Sequence, residues 1–263
     1  MDAITFARTV RERRESVGYW VTLDAPPATE RLARVGYDFV CLDEQHGMMG
    51  YAGILNGMMA IDAGRTAVGL VRVGENSERL IERALDAGAV GVIVPMVNTA
   101  ADAVHAVAAT RYAPLGVRSY GPARSALRIG PRPAEANEAT VVIAMIETLE
   151  ALENIESICA VDGLDGVYVG PSDLSIALGG AYPYDPSIGE VYEQALATVA
   201  DTARRHGVAA GIHAPDGATA ALRIDRGYTF VCIANDLAHL EVAAATHLHA
   251  ARVGVPNAET VSR

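Results

Sequence analysis

The feature that most constrains this chain is a repeated alternation of strand and helix signals. Eight short runs rich in Val, Ile and other strand-forming residues fall at 19–23, 37–42, 66–73, 90–97, 141–146, 166–169, 208–212 and 228–234. Between and after them, helical spacing appears at 28–35, 77–87, 99–111, 149–160, 188–206, 218–226 and 236–251. A further helix is expected ahead of the series over 2–17, where Ile4, Phe6, Ala7 and Val10 are set among charges and Gly18 follows. Strands that are apolar throughout belong to parallel sheets covered on both faces, and a composition that is 51% hydrophobic but only 5% aromatic suits them. With no composition break or linker, the 263 residues predict a single-domain (β/α)8 TIM barrel with a leading N-terminal helix, one domain over 1–263. An open doubly wound sheet is the competing fold. Against it, no G-x-G-x-x-G fingerprint follows any of the strand runs, and the absence of a Walker-type loop argues against a phosphorylated substrate.

Charge and cysteine usage narrow the setting. The formal net charge of -11 disfavours nucleic acid and anionic membranes as partners, and it means that any anionic substrate needs strong local positive charge. No apolar run approaches the roughly 20 residues of a membrane span, and residues 1–15 carry charges where a signal peptide needs its apolar core. A cytoplasmic location is therefore expected. Cys41, Cys159 and Cys232 are odd in number and set in apolar surroundings, which favours reduced, buried thiols over disulfides or a zinc site. Every one of the 21 basic residues is Arg, so Schiff-base chemistry on a lysine is excluded.

In a barrel, the residues just after each strand meet at one rim. There the sequence sets Asp43 and His46 after the second run, Arg72 at the third, Glu147 after the fifth, and Ser172 and Asp173 after the sixth. Glu147 and Asp173 belong to adjacent strands, about 5 Å apart laterally, close enough to share one cation. Two hard oxygen ligands suit Mg²⁺ or Mn²⁺, with another divalent ion such as Co²⁺ as a substitute, rather than zinc. Each residue also has a plainer reading. Asp173 and Ser172 can cap a helix, Glu147 can be a helix N-terminal acid, His46 a loop imidazole, and Arg72 a partner of Glu75 or Glu78. The combination on one rim favours the catalytic reading: Asp43 close to His46 suits a general acid/base, and an Arg ending an apolar strand needs an anion. His213, after the seventh run, lines the rim or makes a structural hydrogen bond. The loops at 112–139 and 179–187, rich in Gly and Pro, are expected to shape the pocket.

These residues carry a resemblance. From about Tyr19 to Leu237 the chain is similar to the HpcH/HpaI aldolases, in Tyr37-Asp38-Phe39-Val40-Cys41-Leu42-Asp43 to His46-Gly47, Val71-Arg72-Val73, Pro95-Met96-Val97, Ile146-Glu147-Thr148 and Gly170-Pro171-Ser172-Asp173-Leu174. The resemblance implies a class II pyruvate aldolase that cleaves 4-hydroxy-2-oxo acids to pyruvate, or a related 2-oxo acid, and an aldehyde through an enolate held by a divalent metal. It implies metal ligation by Glu147 and Asp173, a substrate carboxylate on the Ser172 and Asp173 amides, enolate stabilisation by Arg72, and proton transfer by Asp43 and His46 through water. Trp20 and Asp86 match further substrate-binding positions, Asp86 reaching a neighbouring subunit in a hexamer built as a trimer of dimers. Gln45 stands where many relatives have Glu, and Met145 where many have Gln; both leave the aldehyde undefined. A macrophomate-synthase-like decarboxylation of oxaloacetate and a citramalyl- or malyl-CoA lyase are the alternative activities, the latter lacking a basic patch for CoA.

Overall fold

In the computed structural model, which describes residues 1–253, eight parallel strands close into a barrel in sequence order. They are β1 (Ser16–Val21), β2 (Phe39–Asp43), β3 (Val68–Arg72), β4 (Gly91–Val94), β5 (Val141–Ile146), β6 (Gly166–Val169), β7 (Ala209–Ala214) and β8 (Phe230–Asn235). Closure is made by β1 against β8, with Ser16 opposite Phe230 and Gly18 opposite Cys232.

The two-residue period of a strand splits the apolar residues into two cores. Phe39, Cys41, Leu70, Ile143, Tyr168, Ala209, Phe230 and Cys232 fill the barrel itself, while Val40, Leu42, Val71, Val92, Val142, Val167 and Ile212 face the surrounding helices. That parity decides the site. Continuing the inward rows to the carboxyl ends of the strands brings up Asp43 after Cys41, Arg72 after Leu70 and His213 after Ala209 and Gly211.

The opposite mouth is closed by the leading helix, Ala3–Arg11, whose Phe6 is fully buried and packs on Phe39 and Phe230 with ring centroids 5.8 and 6.3 Å apart. This helix ends earlier than the expected residue 17, because Arg13 takes a left-handed backbone (φ 54°) and Ser16 already pairs in β1. Below the barrel Asp165 is a buried anchor: it accepts from Arg11, Arg111 and the Val142 N–H.

Two other expectations change. The sequence reading leaves 47–65 unassigned, but Tyr51–Gly64 is a 14-residue helix. The segment 112–139 is not irregular throughout: it contains a 3-10 turn at Ser125–Leu127 and a helix at Pro133–Ala139. Asn137 fastens it by hydrogen bonds to the backbone of Tyr112. All three cysteines are buried and free, as expected. No helix among the described residues is long and apolar enough to cross a membrane.

Candidate active site

At the carboxyl ends of the strands lies a cavity of about 270 Å³. Trp20, Asp43, His46, Arg72, Ser172 and Asp173 all line it, so most of the residues singled out from sequence meet in one place. Met145, Tyr168, Gly170, His213, Asn235 and Thr22 complete most of the rest of the wall. Residues of the 112–139 and 179–187 loops are not among its lining within the described chain; the expectation that they shape the pocket is not met by the chain's own cavity.

Asp43 is the hub of the rim. Its carboxylate accepts from Arg72 through both oxygens, Nε to Oδ1 at 2.9 Å and Nη2 to Oδ2 at 2.6 Å, in the forked geometry that makes Arg–carboxylate pairs strong. Trp20 Nε1 donates to Oδ2 at 3.1 Å, and the backbone N–H groups of Gln45 and His46 donate to Oδ1. Burial alone drives this carboxyl upward, but the hydrogen bonds and charge of Arg72, with Trp20 and the His46 N–H, outweigh it and hold Asp43 below the ordinary carboxylate range. Asp43 therefore grips the loop that carries His46 by its backbone, rather than the imidazole ring that the sequence reading paired it with. Arg72 likewise pairs with Asp43, not with Glu75 or Glu78. Its guanidinium lies 5.0 Å from the Trp20 ring centre, and among the described residues its Nη1 makes no hydrogen bond.

Glu147 follows β5 and lies against Gly170, which follows β6; the two strands pair through Ile146 and Val169. A Cβ on Gly170 would sit 2.6 Å from Glu147 Oε2 and 2.8 Å from Met145 Cε, so the absence of a side chain there makes room for the carboxylate. Glu147 is 2% exposed. Its Oε1 accepts from the Met96 N–H at 2.8 Å, a bond made possible by the left-handed backbone of Met96 (φ 54°) just after β4. A non-glycine residue in that conformation costs about 1–3 kcal/mol, a strain typical of functional sites. Burial first, and the charge of Asp173 as well, push the Glu147 carboxyl up, against the Met96 N–H, Arg72 and His46. Glu147 and Asp173, at the ends of paired strands, are hard oxygen donors of the kind that hold a divalent cation. Among the described residues no three His, Cys, Asp or Glu side chains form a fuller set, so any further donors would be backbone, water or ligand oxygens.

Ser172 and Asp173 are not caps. Gly170 is the N-cap of helix Pro171–Ala177, no side chain caps it, and Asp173 lies in its first turn. This leaves the early N–H groups of the helix without a capping side chain, and Ser172 and Asp173 both line the cavity. Asp86 stands apart. It pairs with Arg118 at 2.7 Å and is not among the cavity lining within the described chain. Sequence reasoning missed Asn235, although it ends β8 and the strand-end rule would have found it, and Tyr168, whose inward parity between Gly166 and Gly170 marked it. The Met96 N–H had no sequence signal.

A cavity lined by Asp43, His46, Arg72 and Asp173 at the carboxyl ends of a packed (β/α)8 barrel has the make-up of an enzyme site. The comparisons narrow that class. A model of the HpcH/HpaI aldolase/citrate lyase family matches residues 16–243. A hydroxypyruvate/pyruvate aldolase of Rhizorhabdus wittichii is 41% identical over 234 residues, covering 89% of this chain and 92% of its own. A 5-keto-4-deoxy-D-glucarate aldolase of Klebsiella pneumoniae subsp. pneumoniae is 35% identical over 235 residues, covering 88% and 90%. The crystal structure of an HpcH/HpaI aldolase/citrate lyase family protein from Burkholderia cenocepacia J2315 matches with a TM-score of 0.85 at 31% identity, covering 94% of this chain and 99% of that one. The chain belongs to the HpcH/HpaI aldolase/citrate lyase family, and it is an enzyme of the carbon–carbon lyase class.

Proposed function

We propose that this enzyme is a divalent-metal-dependent aldolase that reversibly cleaves 4-hydroxy-2-oxo acids to pyruvate, or a related 2-oxo acid, and an aldehyde. The observation that carries the reading is that Glu147 and Asp173 follow the paired strands β5 and β6, with Glu147 buried and its carboxyl raised by burial and by the charge of Asp173. Such a pair is costly without a cation between them. Oxygen donors of this kind suit Mg²⁺ or Mn²⁺, with Co²⁺ as a substitute. A cation bound there supplies Lewis-acid stabilisation of negative charge on the substrate's keto oxygen.

The chain's own residues perform the remaining tasks. Main-chain N–H groups of Ser172 and Asp173 bind the substrate carboxylate at the positive end of their helix. Arg72, oriented by its fork to Asp43, turns Nη1 toward the keto oxygen and opposes the charge that grows there. His46, through water, takes the proton of the C4 hydroxyl. The C3–C4 bond then breaks, its electrons pass to the keto oxygen as an enolate, and the C4 fragment leaves as the aldehyde. Protonation at C3 completes pyruvate. Trp20 holds Asp43 and walls the cavity. We also assign the protein to the cytoplasm as a homo-oligomer, a hexamer in which Asp86 completes a neighbouring site.

The test is incubation with pyruvate and a panel of aldehydes in Mg²⁺ or Mn²⁺, with EDTA controls, alongside pyruvate release from 4-hydroxy-2-oxo acids. Adducts that form only with metal are expected. Their absence across the panel, together with no pyruvate release, would sink the reading.

A further inference from the structure

The polar groups facing the cavity can be sorted by what already holds them. Arg72, Asp43 and Trp20 hold one another, the Thr22 hydroxyl donates to Asp236, and the Asn235 side-chain oxygen accepts from the Ala238 N–H. Three rings remain: His46, to which the reading above gives proton transfer, Tyr168, whose buried hydroxyl has no partner, and His213. His213 lines the cavity, and among the described residues its imidazole makes no hydrogen bond; it meets the edge of the Trp20 ring at 5.4 Å between centroids and 85° between planes. It stands at the carboxyl end of β7, opposite Cys232 of β8 and beside the strand that leads to Ser172 and Asp173.

Burial and the nearby charge of Arg72 push this imidazole down to about 4, against the pull of Asp43. At neutral pH it is uncharged and offers one donor and one acceptor nitrogen. His213 is half-buried and its nitrogens are not among the buried unpartnered atoms, so they open to the cavity, where a ligand can supply a partner that a Leu or Phe would not engage. Trp20, whose ring His213 meets, also donates to Asp43 and lies against Arg72, so that partner belongs to the part of the substrate near the reacting carbons.

We propose that His213 is a specificity-determining residue that hydrogen-bonds a hydroxyl group carried by the substrate next to its reacting centre, so that hydroxylated substrates are favoured over their deoxy counterparts. This rests on the aldolase reading above. The hydroxyl can come from C3 of the 2-oxo acid or from the carbon beside the aldehyde carbonyl; the chemistry at His213 is the same.

Steady-state kcat/KM in Mg²⁺ tests it with the wild type, His213→Phe and His213→Asn. One arm compares hydroxypyruvate with pyruvate against propanal, and the other compares glycolaldehyde with acetaldehyde against pyruvate. In one arm the Phe variant is expected to lower the hydroxylated-to-deoxy ratio by roughly ten-fold or more, as loss of a site's hydrogen bond to a substrate hydroxyl does. The Asn variant, which keeps a donor and an acceptor, is expected to recover part of that ratio, and the arm that responds identifies the source of the hydroxyl. Ratios unchanged in both arms, or an equal loss on all four substrates, would overturn the proposal and leave His213 a packing residue. A wild type inactive on every substrate with every metal would instead refute the aldolase reading itself.

Discussion

Asp43 is only 1% exposed and already bound by Arg72, Trp20 and two backbone N–H groups, so its part is to fix the groups around it. Replacing it with Asn removes the counter-charge of an Arg that is itself only 7% exposed. Breaking a buried pair in this way costs about 3–5 kcal/mol. The folded-state value of Asp43 is depressed below 3.8, so the stability it contributes is fully present above that pH and is lost as pH falls through the folded value. Denaturant titrations of Asp43→Asn are therefore expected to fall furthest below the wild type at neutral pH and to converge on it in acid; a pH-independent gap would contradict the ion pair. Glu147 is the reverse case. Its carboxyl is raised above 4.5, so in the metal-free protein ionisation opposes folding as pH rises through its folded value. Glu147→Gln, which can keep the oxygen that accepts from Met96, is expected to hold or raise the metal-free Tm at neutral pH by about 2–4 °C per kcal/mol relieved, and to abolish any Tm rise on adding Mg²⁺. Both residues were legible in the sequence because they follow strands on the inward parity. Their partners were not: the Trp20 N–H reaches Asp43 from the neighbouring strand β1, and the Met96 N–H reaches Glu147 through a left-handed turn that no side chain announces.

At the scale of elements, the leading helix closes the mouth of the barrel remote from the site. Phe6 is its main contact, between Phe39 and Phe230. Phe6→Ala is expected to destabilise the protein by about 3–5 kcal/mol, the cost of emptying a large aromatic site, while KM for the 2-oxo acid in the folded fraction stays the same. A matching rise in KM would mean that the floor of the barrel is coupled to the rim. The strands were readable because each is a short, continuous apolar run. Helix Tyr51–Gly64 was not, since Gly53, Gly57 and Gly64 weaken its propensity and interleave with Ile54, Met58 and Ile61 on its buried face. Packing explains Gly57: a Cβ there would lie 2.6 Å from Leu42 Cδ1, so close contact with β2, not local preference, selects it. The segment 112–139 misled for a related reason. Its Pro and Gly content suggests irregularity, but the ion pair of Arg118 with Asp86 of a preceding helix and the two hydrogen bonds between Asn137 and Tyr112, distant within the segment, order it.

Across the whole molecule, the closed order of eight parallel strands sends every inward row to one rim, which is why residues spread from Trp20 to His213 line a single cavity. At that rim Arg72 is already paired with Asp43 and Asp173 lines the same cavity, so in a chain of net charge -11 an anionic substrate needs the positive charge that, on the proposed reading, a bound cation supplies. Below it, Asp165 ties the start of β6 to Arg11 and Arg111, so the floor of the barrel is locked separately from the site. The central claim is that Glu147 and Asp173 hold a cation that stabilises an enolate beside Arg72. The most direct measurement is deuterium exchange at C3 of pyruvate in D2O, followed by proton NMR with the protein and Mg²⁺ and no aldehyde present. Exchange that requires Mg²⁺, stops with EDTA and is absent from Glu147→Gln and Asp173→Asn is the predicted result. Exchange that persists in EDTA, or that survives either substitution at the wild-type rate, would contradict it.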